Sequence, residues 1–107
     1  MTPPAVAGTE RRKAARVTYF AEAWLEGLDV SRTSVRLGDL STEGAFVDAR
    51  TVLPPGTIAR LRFRLEEREI GVMTEVRYAI PAIGMGLHFL DLTPEDRAAI
   101  QAFVAAC

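Results

Sequence analysis

Two short runs of this sequence concentrate the side chains best suited to chemistry. The first is Arg12-Lys13-Ala14-Ala15-Arg16, an R-x-x-x-R run with Arg11 directly before it. A guanidinium forms two-pronged hydrogen bonds to phosphate oxygens or to the O6 and N7 edge of guanine, and its flat face stacks on bases. The second is Asp39-Leu40-Ser41-Thr42-Glu43-Gly44, a D-x-S-x-x-G run. The Asp39 carboxylate can accept from the N–H groups on a guanine's Watson–Crick edge, Ser41 can donate to a phosphate or anchor a turn, and Gly44 removes a side chain where backbone and ligand approach closely. One run suits anions and the other a base, and a compact guanine dinucleotide presents both.

Taken singly, neither run is specific. Arginine clusters are commonly solvated or salt-bridged surface, and Asp, Ser and Gly frequently do no more than shape a turn. Other chemistries have less support. The single histidine, His88, has no metal-ligand partner at useful spacing and reads as a neutral strand residue at the sheet surface. Cys107 is the only cysteine, which rules out an intramolecular disulfide and points to a reducing cytoplasm. No nucleophile stands near a base in sequence, and no glycine-rich loop cradles a triphosphate, so neither an enzyme, a metal site nor a bound cofactor is expected.

Those residues must be positioned by a small body. The chain has 107 residues, 49% of them hydrophobic and 25% charged, which suits one folded domain. A formal net charge of -1 argues against a broad DNA-coating surface, so an anion site must be local. No apolar run reaches the roughly 18 residues of a membrane span. Residues 1–9 contain prolines, glycine and alanines without period and read as a flexible lead, leaving 10–107 as the domain.

From Val17 onward, apolar and polar residues alternate between turn signals, the pattern of short strands. Strands are predicted over Phe20–Glu26, Ser34–Asp39, Gly44–Ala49, Ile58–Leu65, Glu69–Ala79 and Gly84–Leu90, with Pro54-Pro55-Gly56 as a turn. In the fifth, Ile70, Val72, Thr74, Val76 and Tyr78 share one side. Trp24, Met73 and Met85 are expected to fill the core or its rim. Thr93 can cap a C-terminal helix that opens with Pro94, Glu95 and Asp96.

In this order, R-x-x-x-R, a strand, D-x-S-x-x-G, Pro55-Gly56, the G-x-G-x-x-F segment Gly84 to Phe89 and a short helix, the chain resembles the PilZ domain family over nearly all of residues 10–106. That resemblance implies a mostly β fold, a six-stranded antiparallel barrel with a C-terminal α-helix. It also implies cyclic di-GMP as ligand and a role as receptor or adaptor in bacterial signalling. Carried over, Arg12 and Arg16 grip phosphates and guanine edges from a mobile arm, Asp39 and Ser41 meet a guanine, and Gly44 leaves room. Arg11, just before the motif, is similar to members that take two stacked ligands. Gly86 either packs tightly or lets a guanine lie on the sheet. Glu43 departs from the small residue usual before the motif's glycine.

The expected partners are thus cyclic di-GMP, as one molecule or a stacked dimer, and an unidentified protein that responds to the changed surface. Two rivals remain: a nucleotide-free PilZ-like interaction module in motility or pilus assembly, and a small barrel that binds single-stranded nucleic acid. The last needs exposed aromatics on a basic face, for which Tyr19, Phe20 and Phe46 are the candidates.

Overall fold

The computed structural model describes residues 15–27 and 30–107. Six strands run in the order β1 (Val17–Gly27), β2 (Val30–Leu40), β3 (Gly44–Asp48), β4 (Ile58–Leu65), β5 (Arg68–Ile80) and β6 (Gly84–Phe89), followed by helix α1 (Pro94–Ala106). All neighbouring strands are antiparallel, and the sheet closes as β1-β2-β3-β6-β5-β4. This is the expected barrel. The expected lead over residues 1–9, and Arg11 and Arg12, lie outside the described residues.

Alternation explains most of the barrel. In β4, Ala59, Leu61, Phe63 and Leu65 are buried while Arg62 and Arg64 face out. In β3, Ala45 and Val47 enter the core and Asp48 is exposed. Thr74 is the polar exception within the barrel: fully buried, it donates its hydroxyl to the Ala59 carbonyl at 2.8 Å, so no polar group is left unpaired there. Helix α1 is capped by Thr93, whose Oγ1 accepts from Asp96 N at 3.1 Å. It delivers Ile100 into the core and sets Phe103 edge-on to Tyr19 at 4.9 Å. Pro55 and Gly56 form the predicted turn, closed by Thr57 N donating to Pro54 O at 3.1 Å, with Gly56 at φ 94°.

Three departures matter for the site. Both β1 and β2 are longer than their apolar pattern predicts, and the start of β2 is paired with β1, as in Leu25 opposite Thr33. Tyr78 does not share a side with Val76. A register shift between them turns Tyr78 outward, where it is exposed, while Ala79 packs inward. Trp24 is likewise outside the core: its neighbours Ala23 and Leu25 point in, and the Trp24 ring lies half-buried beneath Arg32.

Candidate functional site

Strand pairing brings the described end of the first run, Arg16, to the start of the second. Thr18 stands opposite Asp39 across β1 and β2. Arg16, two residues earlier, therefore reaches the same carboxylate diagonally, and its Nη1 lies 2.6 Å from Asp39 Oδ1. A second irregularity, between Leu37 and Asp39 on the β2–β3 pair, turns Asp39 so that the same oxygen accepts from Phe46 N at 3.1 Å. Among the described residues, Oδ2 has no hydrogen-bond partner. Both side chains stay substantially exposed, so this contact sits where a ligand can reach it.

Ser41 occupies a different position from that of Asp39. It is 2% exposed, and its Oγ accepts from Glu43 N at 3.0 Å and Gly44 N at 3.2 Å, while its own N–H donates to Gly44 O at 2.9 Å. The hydroxyl thus builds the tight turn between β2 and β3. Glu43 O accepts from Phe89 N at 2.9 Å, which ties this turn to β6. Gly44 is required by packing: a Cβ there would stand 2.1 Å from the Leu87 carbonyl oxygen.

Beside the turn is a concavity of about 120 Å³ bordered by Arg16, Glu43, Arg77, Tyr78, Gly86 and His88. Ligand cavities commonly start near ~300 Å³, so this space suits one group of a larger ligand. Gly86 of β6 and Gly44 of β3 line it, and Gly84 stands two residues before Gly86 on the same strand. A Cβ on Gly84 would collide with the Phe46 ring at 2.7 Å, and one on Gly86 with the Tyr78 ring at 2.2 Å. Phe46 and Tyr78 lie nearly parallel with centroids 6.3 Å apart, each above one glycine. Arg77 shares a loose ion pair with Glu75 at 3.5 Å and is more than half exposed.

Of the residues singled out from sequence, Arg16, Glu43, Gly44 and Gly86 line this concavity, Asp39 is joined to it through Arg16, and Ser41 is buried in the adjoining turn. Arg77 and Tyr78 escape the sequence reading. Alternation alone turns Arg77 outward, but the exposure of Tyr78 depends on the irregularity after Val76, which strict alternation does not contain; the nearest signal is an Arg-Tyr pair in a strand that faces a G-x-G strand. A larger opening of about 1010 Å³ borders Leu65, Glu66, Glu67, Arg68 and Ala99. Its described lining has two carboxylates against one guanidinium, a poor match to an anion. Among the described residues, no three of His, Cys, Asp and Glu gather as metal ligands, and no described helix is long and apolar enough to cross a membrane.

Comparison with known proteins agrees with this architecture. No curated protein matches the sequence. Among solved structures, the chain is similar to the Bacillus subtilis inhibitor of motility MotI/DgrA, with a TM-score of 0.78 and 20% identity over 90% of this chain and 50% of that one. It is also similar to Escherichia coli YcgR in complex with c-di-GMP, at TM-score 0.76 and 17% identity over 90% of this chain and 45% of that one. The PilZ domain of YcgR with c-di-GMP gives 0.73 and 16%, with 90% of each chain covered. The chain thus spans about half the length of the first two proteins. The model of the PilZ domain family matches residues 10–106, and with a closed six-stranded barrel of this order the chain belongs to the PilZ domain family.

Proposed function

We propose that this protein is a cyclic di-GMP receptor that binds the nucleotide without transforming it and acts as a cytoplasmic adaptor. The observation that carries this reading is the Arg16–Asp39 contact, which joins the ends of two runs 23 residues apart at one exposed point. Arg16 supplies a donor fork for phosphate or the guanine Hoogsteen edge, and Asp39 supplies acceptors for the Watson–Crick edge. Arg12 is four residues from Arg16, so its backbone lies within about 14 Å of it in any conformation. It can therefore close on the same ligand. Tyr78 above Gly86 offers an exposed ring for a base to stack on, next to the cation of Arg77. Two PilZ structures of YcgR contain c-di-GMP, which supports the choice of nucleotide.

Arg16 and Asp39 pair through Nη1 and Oδ1. Ligand replaces that pair by contacts to both partners and draws the preceding basic residues onto the barrel, and the rearranged surface is what a protein partner reads. The switch can be only as large as the ligand's preference for the closed arrangement. Arg11, directly before the R-x-x-x-R run in the sequence, is proposed to hold a second, stacked nucleotide. Isothermal titration of the purified chain with cyclic di-GMP tests the reading: a saturable heat is expected, with a stoichiometry that distinguishes one ligand from a stacked pair. Absence of heat together with absence of thermal stabilisation at high ligand concentration overturns it.

A further inference from the structure

The outer surface of β2, β1 and β4 carries a cluster that the nucleotide site does not use. Phe20 is 65% exposed on β1, with the Arg36 guanidinium 5.6 Å from its ring centre. Four residues along the same strand, Trp24 carries Arg32 at 5.1 Å. On its other flank Trp24 stands opposite Arg62 of β4, and Glu26 stands opposite Arg60. Four cations thus surround two aromatic rings, with Glu22 and Glu26 the acidic residues between them, on a chain whose total charge is -1. Glu26 is engaged by Arg62 at 3.2 Å. Among the described residues, Arg32, Arg36 and Arg60 form no ion pair, although Glu22 and Asp48 stand across the neighbouring strands from Arg36.

We infer that this face docks an acidic, apolar-anchored segment of a partner protein, with Phe20 and Trp24 receiving the anchor and Arg32, Arg36 and Arg60 receiving carboxylates. Tryptophan and arginine are the residues on which binding energy at protein interfaces concentrates, and here they are interleaved. Single-stranded nucleic acid fits less well. Phe20 and Trp24 are separated by four residues of strand, roughly 13 Å, whereas successive stacked bases are about 3.4 Å apart, and the Glu22 carboxylate would lie between them in the path of the phosphates. Two aromatic positions along one strand, flanked by arginines of the two neighbouring strands, also form a footprint for one extended segment and not for a broad flat interface. The inference stands on this face alone and does not depend on the nucleotide reading.

Trp24 is the sole tryptophan, so its emission reports directly from the surface. The purified chain is titrated with a short synthetic peptide alternating glutamate and leucine. In parallel it is titrated with a lysine–leucine peptide and with oligodeoxythymidine of matched charge. A saturable change in Trp24 emission with the acidic peptide alone is expected, weakened at least about fivefold by the double reversal Arg32→Glu/Arg36→Glu. Arg97→Glu, a charge reversal on the exposed side of α1, leaves it unchanged. Phe20→Ser gives a second variant at a highly exposed position should the double reversal not fold, and it weakens the peptide too. Equal or stronger response to oligodeoxythymidine, no saturable response to the acidic peptide, or indifference to the variants that fold overturns the inference. Unaltered cyclic di-GMP titration in the same variants separates its failure from failure of the receptor reading.

Discussion

Arg16 and Asp39 meet through Nη1 and Oδ1 at 2.6 Å, and the same Asp39 oxygen also accepts the backbone N–H of Phe46. The carboxylate is therefore oriented from the barrel side whether or not Arg16 is present. A recognition group held in place by the backbone retains its direction when its side-chain partner leaves for a ligand.

This arrangement separates stability from binding. A half-exposed ion pair contributes about 0–1 kcal/mol, so Arg16→Ala is expected to lower stability by no more than that in denaturant titration. The same substitution removes a charge-assisted contact to the ligand, for which about 1.5–3 kcal/mol applies, and cyclic di-GMP affinity should fall by roughly 10- to 150-fold. Asp39→Ala is expected to match it in affinity loss. Unchanged affinity in both would place the nucleotide elsewhere on the chain.

Tyr78 provides the second test. Its ring is about half exposed above Gly86 and contributes little to the core, so Tyr78→Ala should leave the fold intact by circular dichroism. Loss of a stacking face is worth about 1–3 kcal/mol per base, which predicts a fall in cyclic di-GMP affinity of roughly 5- to 150-fold. Tyr78→Phe retains the ring and should bind within about twofold of the parent. Equal losses in both would assign the role to the hydroxyl.

Much of the barrel was legible because a strand's period of two is local: the buried row of Ala59, Leu61, Phe63 and Leu65 can be read without knowing its partners. The cap at Thr93 and the turn at Gly56 are local in the same sense. The register shifts near Thr18, Leu37 and Val76 are not, since each is defined by how many residues face the neighbouring strand. They turn Asp39 toward Phe46 N and expose Tyr78, so the motif residues were legible while the surface beside them was not. For Ser41 the residue type left phosphate donor and turn anchor equally open; burial of the hydroxyl under two N–H groups is a property of the folded turn.

That burial gives Ser41→Ala a defined outcome. Removing Oγ leaves Glu43 N and Gly44 N without their acceptor, and an unpaired buried donor costs about 1–3 kcal/mol. Chemical denaturation should show a loss in this range. Any loss of ligand affinity should be recovered when temperature is lowered, because the turn and not a ligand contact has been weakened.

Glu43 borders the same concavity as Arg16 and Arg77. Its carboxylate opposes an approaching phosphate, so Glu43→Gln is expected to tighten cyclic di-GMP binding by a few-fold, and the gain should shrink as salt screens the repulsion over a Debye length of about 8–10 Å. A salt-independent change would point to altered turn geometry.

The two site glycines should respond differently to the same methyl group. At Gly44 the added Cβ would meet the Leu87 carbonyl oxygen at 2.1 Å, a backbone atom held in the β3–β6 ladder. The strands must separate locally, and overpacking of this kind costs about 1–3 kcal/mol, which for a domain of this size lowers the thermal midpoint by roughly 4–24 °C. At Gly86 the obstacle at 2.2 Å is the Tyr78 ring, whose exposed side chain can swing away. Gly86→Ala should therefore cost well under the Gly44→Ala loss in a thermal melt, yet displace the ring proposed to carry a base and weaken cyclic di-GMP binding as Tyr78→Ala does. The double variant Gly86→Ala/Tyr78→Ala then has no further effect on affinity, since both changes remove the same stacking face; additive losses would mean that Gly86 contacts the nucleotide independently of Tyr78.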